Sequence, residues 1–406
     1  MERLRRPRHP PGPPRRVVYV KLIEMGSTVL ACPAFAHGAS VVGPENIFLL
    51  AFAGNRGIAD LIPWFPPEQI IAVDDRDPLR FALSLLGALA RLRAEGIDTA
   101  IDLEGMTRSS AVITWLTGAR NRIGFDNLGG AGPWRGRLFT HELAYNFQLH
   151  ASRSFLALSR AMTADPTDRP LLRAAVPEEL APPRFVPEEA ERRAVADLLW
   201  QAWGQAPPVG SHPVAALPHP LVLLNPNPGD LLPLRRWPAD RYIALGRRLL
   251  ADHPRLRLVF TGTPAEADRC AELARATGPA DRVASLAGMT TLRSLVALYD
   301  LADLLVSSDS GPCHFATLTP IHVVALFGPE TPRLYGPLGP HVQSLSAELA
   351  CSPCLTVLNH RQSPCAQARC MEAIPLERVL TAAEAALTER ARGAEVQGSG
   401  TAGSTR

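Results

Sequence analysis

Residues 306–314 read Val306-Ser-Ser-Asp-Ser-Gly-Pro-Cys-His314, a string whose residue types suit an anion. An apolar run of parallel-strand character precedes it and a helical apolar pattern follows, so the loop falls where a strand hands over to a helix. Asp309 or Ser310 can cap that helix, Gly311 lets a ligand approach the backbone, and Pro312 suits a first turn that needs no amide hydrogen. Free amides and the helix dipole at such an end favour a negative group, most often a phosphate. His314, about one turn in, can add a donor. An ordinary capped helix of an α/β domain would use the same residues, and the loop alone leaves both readings open.

Two other features could carry chemistry. Lys21 is the single lysine among 42 basic residues, and it ends the first apolar strand. A compact ammonium is not interchangeable with a guanidinium, which suggests a site role, although chance survival explains it too. Cys351, Cys354, Cys365 and Cys370 place four of the seven cysteines within one short Pro-containing segment. In a cytosolic chain such clustering suggests a metal more than disulfides. The spacing is not that of a zinc ribbon, so structural zinc, an iron–sulfur cluster and free thiols all remain open.

The elements that must position these residues alternate between strand and helix. Short apolar runs stand at 16–22, 46–53, 99–103, 121–125, 221–225, 256–261 and 321–329, and helical patterns at 29–40, 77–95, 109–117, 239–252, 265–277, 291–301 and 375–391. Such alternation predicts parallel sheets with helices on both faces. Around 163–219 proline becomes frequent and one helical patch, 187–203, sits among loop residues. The expected organisation is a disordered basic arm (1–15), a Rossmann-like domain (16–185), a linker (186–219), a second Rossmann-like domain (220–392) and a Gly/Ser/Thr tail (393–406).

Composition narrows the function classes. With 46% hydrophobic and 20% charged residues the chain reads as globular. No apolar run reaches the length of a membrane span, and the basic N-terminus leads into Pro-Pro-Gly-Pro-Pro rather than a secretory core. A cytoplasmic location is expected. The net charge of +3 is uneven: the first 16 residues hold six arginines and one glutamate, so the remainder is slightly acidic. That argues against nucleic acid as a partner. The arm could touch anionic lipid at the inner face of the inner membrane; a solvated tail or a misassigned start codon also accounts for it. An NAD-dependent Rossmann enzyme is excluded by the lack of Gly-x-Gly-x-x-Gly after the first strand.

Four segments together resemble glycosyltransferase family 9, the lipopolysaccharide heptosyltransferases. Residues 309–314 with Phe327-Gly-Pro329 resemble its Asp-(Ser/Thr)-Gly-x-x-His donor loop and following strand. Lys21 through Phe35 is similar to its N-terminal motif. Asn225-Pro-Asn-Pro-Gly229 with Arg235-Arg-Trp-Pro238, and Phe260-Thr-Gly-Thr-Pro-Ala-Glu266, resemble two further elements in the family's order. The resemblance covers most of 16–385. It implies the glycosyltransferase B fold, two Rossmann-like domains facing a cleft, and transfer of heptose from ADP-heptose onto a lipopolysaccharide core or related envelope glycan. Another nucleotide-sugar donor, such as a UDP-linked one, and a catalytically silent glycan-binding relative are the alternatives.

The implied chemistry needs groups that stabilise a departing diphosphate and a base that deprotonates the acceptor hydroxyl. For the first, the resemblance implies Asn225, Arg235 or Arg236, Asp309, Ser310, Gly311 and His314, with Glu266 on the ribose. No metal is implied for the transfer. For the second, the family places an Asp directly after the turn glycine, and here that position is Ser27. Serine cannot serve as a carboxylate. Glu24, three residues earlier, becomes the candidate base, with Lys21 keeping it ionised, binding an acceptor phosphate, or merely pairing with it. Asp102, Arg108 and Arg122, with Glu104, His141 and Tyr145, lie where such a fold binds its acceptor; Asp102 is also the second candidate base.

Overall fold

Val17–Val20 is Val-Val-Tyr-Val, with every side chain buried. A strand covered on both faces belongs in the middle of a parallel sheet. In the computed structural model, which describes residues 11–401 except 106, 127–134, 136, 169, 179, 230, 231, 357, 358 and 360, it does. This strand, β1, is joined by β2 (Ile47–Phe52), β3 (Ile70–Val73), β4 (Thr99–Asp102), β5 (Asn121–Phe125) and β6 (His141–Leu143) in the order β3-β2-β1-β4-β5-β6. All pairings are parallel. The second sheet repeats the plan with β7 (Leu221–Asn225), β8 (Arg257–Phe260), β9 (Val283–Ser285), β10 (Leu304–Ser308), β11 (His322–Phe327) and β12 (Val342–Ser346), ordered β12-β11-β10-β7-β8-β9. Thus β7 takes the place of β1, and β10 that of β4.

In such doubly wound sheets ligands bind beyond the carboxyl ends of the strands, where the strand order reverses. Here those points lie at the ends of β1 and β4 in one sheet and of β7 and β10 in the other.

The chain divides into two compact units. The first comprises residues up to Pro183 with Arg333–Tyr335 and Thr356–Gln362; the second holds Arg184–Pro332, Gly336–Leu355 and Ser363 onward. Segment 186–219 is therefore packed structure of the second unit rather than a loose connection. Its helix, Glu189–Ala202, starts with a capping box of Glu188 and Glu191, and Trp200 donates from its ring to Pro213 O at 3.1 Å.

The helices begin where local chemistry dictates. After β1 come α1 (Met25–Leu30) and α2 (Cys32–Val42), where the sequence suggests one helix; Pro33 has no amide to continue the earlier ladder. Next, α3 (Pro78–Ala94) is capped by Asp77, whose carboxylate accepts from Arg80 N at 2.9 Å, and α4 (Arg108–Leu116) follows β4. The sequence reading missed α5 (Ala151–Arg160), β3, β6, β9 and β12. The Tyr19 hydroxyl pins α2 and α5 to the sheet through Ala34 O and Ser159 Oγ, both at 2.8 Å. Gly38 of α2 is required there, because a Cβ would overlap that hydroxyl.

In the second unit α6 (Glu189–Ala202), α7 (Ala239–Asp252), α8 (Ala267–Thr277), α9 (Leu292–Leu301) and the short α10 (Gly311–Ala316) flank the sheet. The last helix, α11 (Leu376–Thr401), runs into the stretch whose Gly, Ser and Thr content suggests a tail. The core beneath α7, α8 and α11 is aliphatic around the fully buried Trp237 and Tyr242. Most of the N-terminal basic arm, the Gly-rich stretch after β5 and residues 402–406 lie outside the described residues. Among the described residues no helix is long and apolar enough to cross a membrane.

Candidate functional site

At the end of β1 the chain places two acidic side chains in opposite settings. Lys21 is 2% exposed, and its ammonium donates to Glu104 Oε1 at 2.9 Å and to Ile23 O at 2.5 Å. The same Glu104 oxygen accepts the amides of Leu22 and Ile23 at 2.5 and 3.1 Å. Lys21 therefore ties the turn to the loop after β4, and the expected Lys21–Glu24 pairing is not formed. A buried ammonium needs a partner, and Glu104 is the carboxylate that shares its burial.

Glu24 turns the other way. Its carboxylate, 37% exposed, forms an ion pair with Arg361, whose second guanidinium nitrogen lies 3.4 Å from Oε2. Glu24 has φ 66° and Arg361 φ 56°, so both ends of the pair adopt the left-handed region that L side chains seldom occupy. Glu24 stands at the N-cap of α1 without a side-chain capping bond, which leaves its carboxylate for the Arg361 contact. Ser27 is half-buried within α1. Nearby, burial raises the Tyr145 hydroxyl above its ordinary range, and that hydroxyl bonds to Tyr335.

The other expected acceptor residues sit differently. Asp102, at the end of β4, is wholly buried: Oδ1 accepts Glu104 N at 2.9 Å, Oδ2 accepts Ser110 Oγ at 2.9 Å, and Arg135 completes an ion pair. Burial pushes this carboxyl upward, and Arg135 opposes the shift. Asp102 thus fixes the loop that carries Glu104 and has no exposed atom to offer an acceptor. Arg122 is 3% exposed and donates to Leu138 O and Ala119 O at 2.7 and 2.8 Å, a role inside the scaffold. His141 is likewise buried on β6, with Thr140 Oγ1 at 2.9 Å. Arg108 alone of the expected set is exposed, in the first turn of α4.

In the second unit the residues after β7 and β10 converge. Trp237 is fully buried, with its ring donating to Ile374 O at 3.1 Å and packing edge-on against Tyr242 at 5.0 Å between centroids. Tyr242 in turn reaches Asn225 O and Ser308 Oγ at 3.2 and 3.3 Å. This anchor holds Arg235 against the end of β10. Its Nε lies 3.3 Å from Asp309 Oδ2, Nη1 donates to Asp309 O at 3.3 Å, and Nη2 pairs with the buried Glu330. Arg235 is thus committed to two carboxylates of its own unit, and Arg236 beside it is half-buried.

The other expected donor residues are also drawn into local contacts. Ser310 occupies the N-cap of α10, but its hydroxyl donates back to Ser308 O at 2.9 Å and caps nothing. Gly311 makes room inside the unit, since a Cβ would stand 2.7 Å from Phe315 Cζ; its small size serves packing before any ligand. Asn225 spends its side chain on Thr261 Oγ1 at 3.3 Å and Asn227 N at 3.1 Å, and His314 is buried in α10. Asn227 was not singled out, yet its Oδ1 is buried with no hydrogen-bond partner among the described residues. Glu266 accepts from Thr263 N and Oγ1 through Oε2, at 2.7 and 2.9 Å, in a capping box on a half-exposed turn.

The cysteines do not form a cage as they stand. Cys351 and Cys365 are exposed and Cys370 is buried, while Cys354 Sγ lies 3.3 Å from Ser363 Oγ. Among the described residues, the His, Cys, Asp and Glu ligand atoms that gather within 4.8 Å are those of His322, His341 and Glu389.

Sequence reasoning missed Arg135, Glu330, Asn227 and Arg361. Glu330 directly follows the Phe-Gly-Pro that was singled out. Arg361 carries no local signal, being 337 residues from its partner.

Comparison with known proteins agrees with this architecture. The structure is similar to the ADP-heptose lipopolysaccharide heptosyltransferase II of E. coli, at 19% identity and TM-score 0.70 over 92% of this chain and 99% of that one. It is also similar to E. coli heptosyltransferase WaaC with ADP, at 18% identity and TM-score 0.62 over 91% and 99%. These likenesses show the glycosyltransferase B fold. In sequence, lipooligosaccharide heptosyltransferase 2 of Campylobacter jejuni strain 81116 is 28% identical over 171 residues, 40% of this chain and 52% of that protein. The chain spans about half the length of the curated relatives it matches. The family model for glycosyltransferase family 9 (heptosyltransferase) matches residues 87–363, more than half of the sequence, and the chain belongs to that family.

Proposed function

We propose that this chain is a glycosyltransferase that moves heptose from ADP-heptose onto a lipopolysaccharide-core type of acceptor, with Glu24 as the base. The observation that carries the reading is the pairing of Glu24 with Arg361 across two left-handed residues. Backbone strain of this kind, at a few kcal/mol or less per residue, is retained where a site needs it. The neighbouring carboxylates, Asp102 and Glu104, are both locked in buried contacts. Glu24 is then the acidic group of this turn that an acceptor hydroxyl could reach.

In this reading Glu24 takes the proton from the acceptor as the new glycosidic bond forms and the bond from sugar to diphosphate breaks. Arg361 keeps the carboxylate ionised and aimed. ADP leaves, its developing charge met by Arg236 and the amides of Ser310 and Gly311. Asn227 Oδ1 and Glu266 offer acceptors for hydroxyl or amino groups of the nucleoside. No metal is needed for these steps, because guanidinium and amide donors supply the counter-charge. The reading places the enzyme in the cytoplasm, and the basic arm suits peripheral contact with an anionic inner leaflet.

A donor screen tests it. ADP-heptose and ADP should raise the melting midpoint, with a ligand at about 100 times its dissociation constant adding about 2.7 kcal/mol. UDP-sugars should leave the midpoint unmoved. A shift with UDP-sugars alone would assign another donor, and no shift with any nucleotide sugar would favour a silent relative.

A further inference from the structure

At the opposite end of the second sheet from the donor loop, His322, His341 and Glu389 face one another. His322 is the first residue of β11, His341 stands one residue before β12, and Glu389 lies on α11. Because Val323 pairs with Val342, the two imidazoles leave neighbouring strands side by side. Their ring centroids are 4.6 Å apart, and each Nδ1 lies 4.0 Å from one oxygen of Glu389.

We propose that these three side chains bind a divalent ion of the zinc class, which ties the C-terminal helix to the starts of β11 and β12. Two imidazoles and a carboxylate are a donor set that borderline ions prefer. Tetrahedral zinc with bonds near 2.1 Å would set ligand atoms about 3.4 Å apart, so a contraction of roughly 1 Å closes the present arrangement. His322 is buried and fixed, its amide donating to Asp303 O at 3.1 Å, whereas His341 and Glu389 are exposed and free to rotate inward.

The surroundings permit a cation. Arg390, next to Glu389 on α11, is turned to Asp303 Oδ1 at 3.4 Å and to Pro320 O at 3.3 Å. Asp303 also accepts from His219 Nδ1 at 2.7 Å and Leu221 N at 2.8 Å. Strand β11 separates the cluster from the donor loop by roughly 16 Å, so the ion would act as a clip and not as a reactant.

Titrating the full chain with cobalt(II) and zinc separates this site from the cysteines. The wild type should bind cobalt with visible d–d bands, and any intense sulfur-to-cobalt band should be unaffected by His341→Ala. Zinc at about 100 times its dissociation constant should raise the melting midpoint by about 5 °C. His341→Ala and Glu389→Gln, both at exposed positions, should melt like the wild type without metal and weaken the non-thiolate binding by roughly 100-fold and tenfold. Cobalt bound through thiolates alone, equal zinc response in His341→Ala, or affinity no better than about 1 mM would each overturn the proposal.

Discussion

Asp102 and Asp309 stand at the ends of equivalent strands in two sheets of one topology, and an arginine clamps each. In the first unit the clamp is closed: Asp102 and Arg135 are both 0% exposed, with Ser110 and Glu104 completing the carboxylate's partners. In the second it is shared: Arg235, 13% exposed, serves Asp309 and Glu330 together. The closed clamp makes a rigid floor and, under the proposed function, leaves the chemistry to Glu24. The shared clamp sits at the loop after β10, with Arg236 next to Arg235 in sequence. One slot of the fold is therefore sealed as scaffold in one unit and partly open in the other, where the proposed function puts the donor.

Breaking the clamps should expose that difference. Arg135→Ala leaves a buried carboxylate without its cation and should cost about 3–5 kcal/mol in chemical denaturation. Replacing both Asp102 and Arg135 with apolar residues of similar volume should recover most of that loss. Arg235→Ala removes a cationic partner from two carboxylates that are nearly as buried, so it should cost a similar amount, and it should weaken ADP binding at least tenfold. If Arg235→Ala bound ADP as well as the wild type, the donor loop would not depend on the shared clamp.

Smaller effects are expected at the turn after β1. Arg361→Ala removes a partly exposed partner and should change stability by less than about 1 kcal/mol while slowing turnover about tenfold. Ser27→Ala should slow it less than about tenfold, since a hydroxyl cannot replace a carboxylate base. Comparable losses in the two variants would show that the turn acts through its shape and not through the Glu24 carboxylate.

Much of the fold was legible. Runs such as Leu221–Asn225 and the helix Ala239–Asp252 fall where apolar pattern and flanking breakers put them. Short edge strands such as Val283–Ser285 and Val342–Ser346 were missed, because three to five residues carry too little pattern to stand above a loop. At the site, residues that carry a motif's charge or its turn were found, whereas Asn227 inside one motif, Glu330 beside another, and the residues brought in by topology were not. Arg135 and Arg361 are remote arginines in a chain with 41 of them, so composition could not single them out. Lys21 and Glu24, three residues apart, suggested a pair, yet the pleat and turn send them to different partners, Glu104 and Arg361.

The most direct test is the turnover of Glu24→Gln with ADP-heptose and a core acceptor, measured beside its melting midpoint and ADP affinity. A base contributes typically 10²–10⁴-fold, so turnover should fall by roughly that factor while ADP affinity and melting stay within error of the wild type. Wild-type turnover in Glu24→Gln would contradict the assignment of Glu24 as the base.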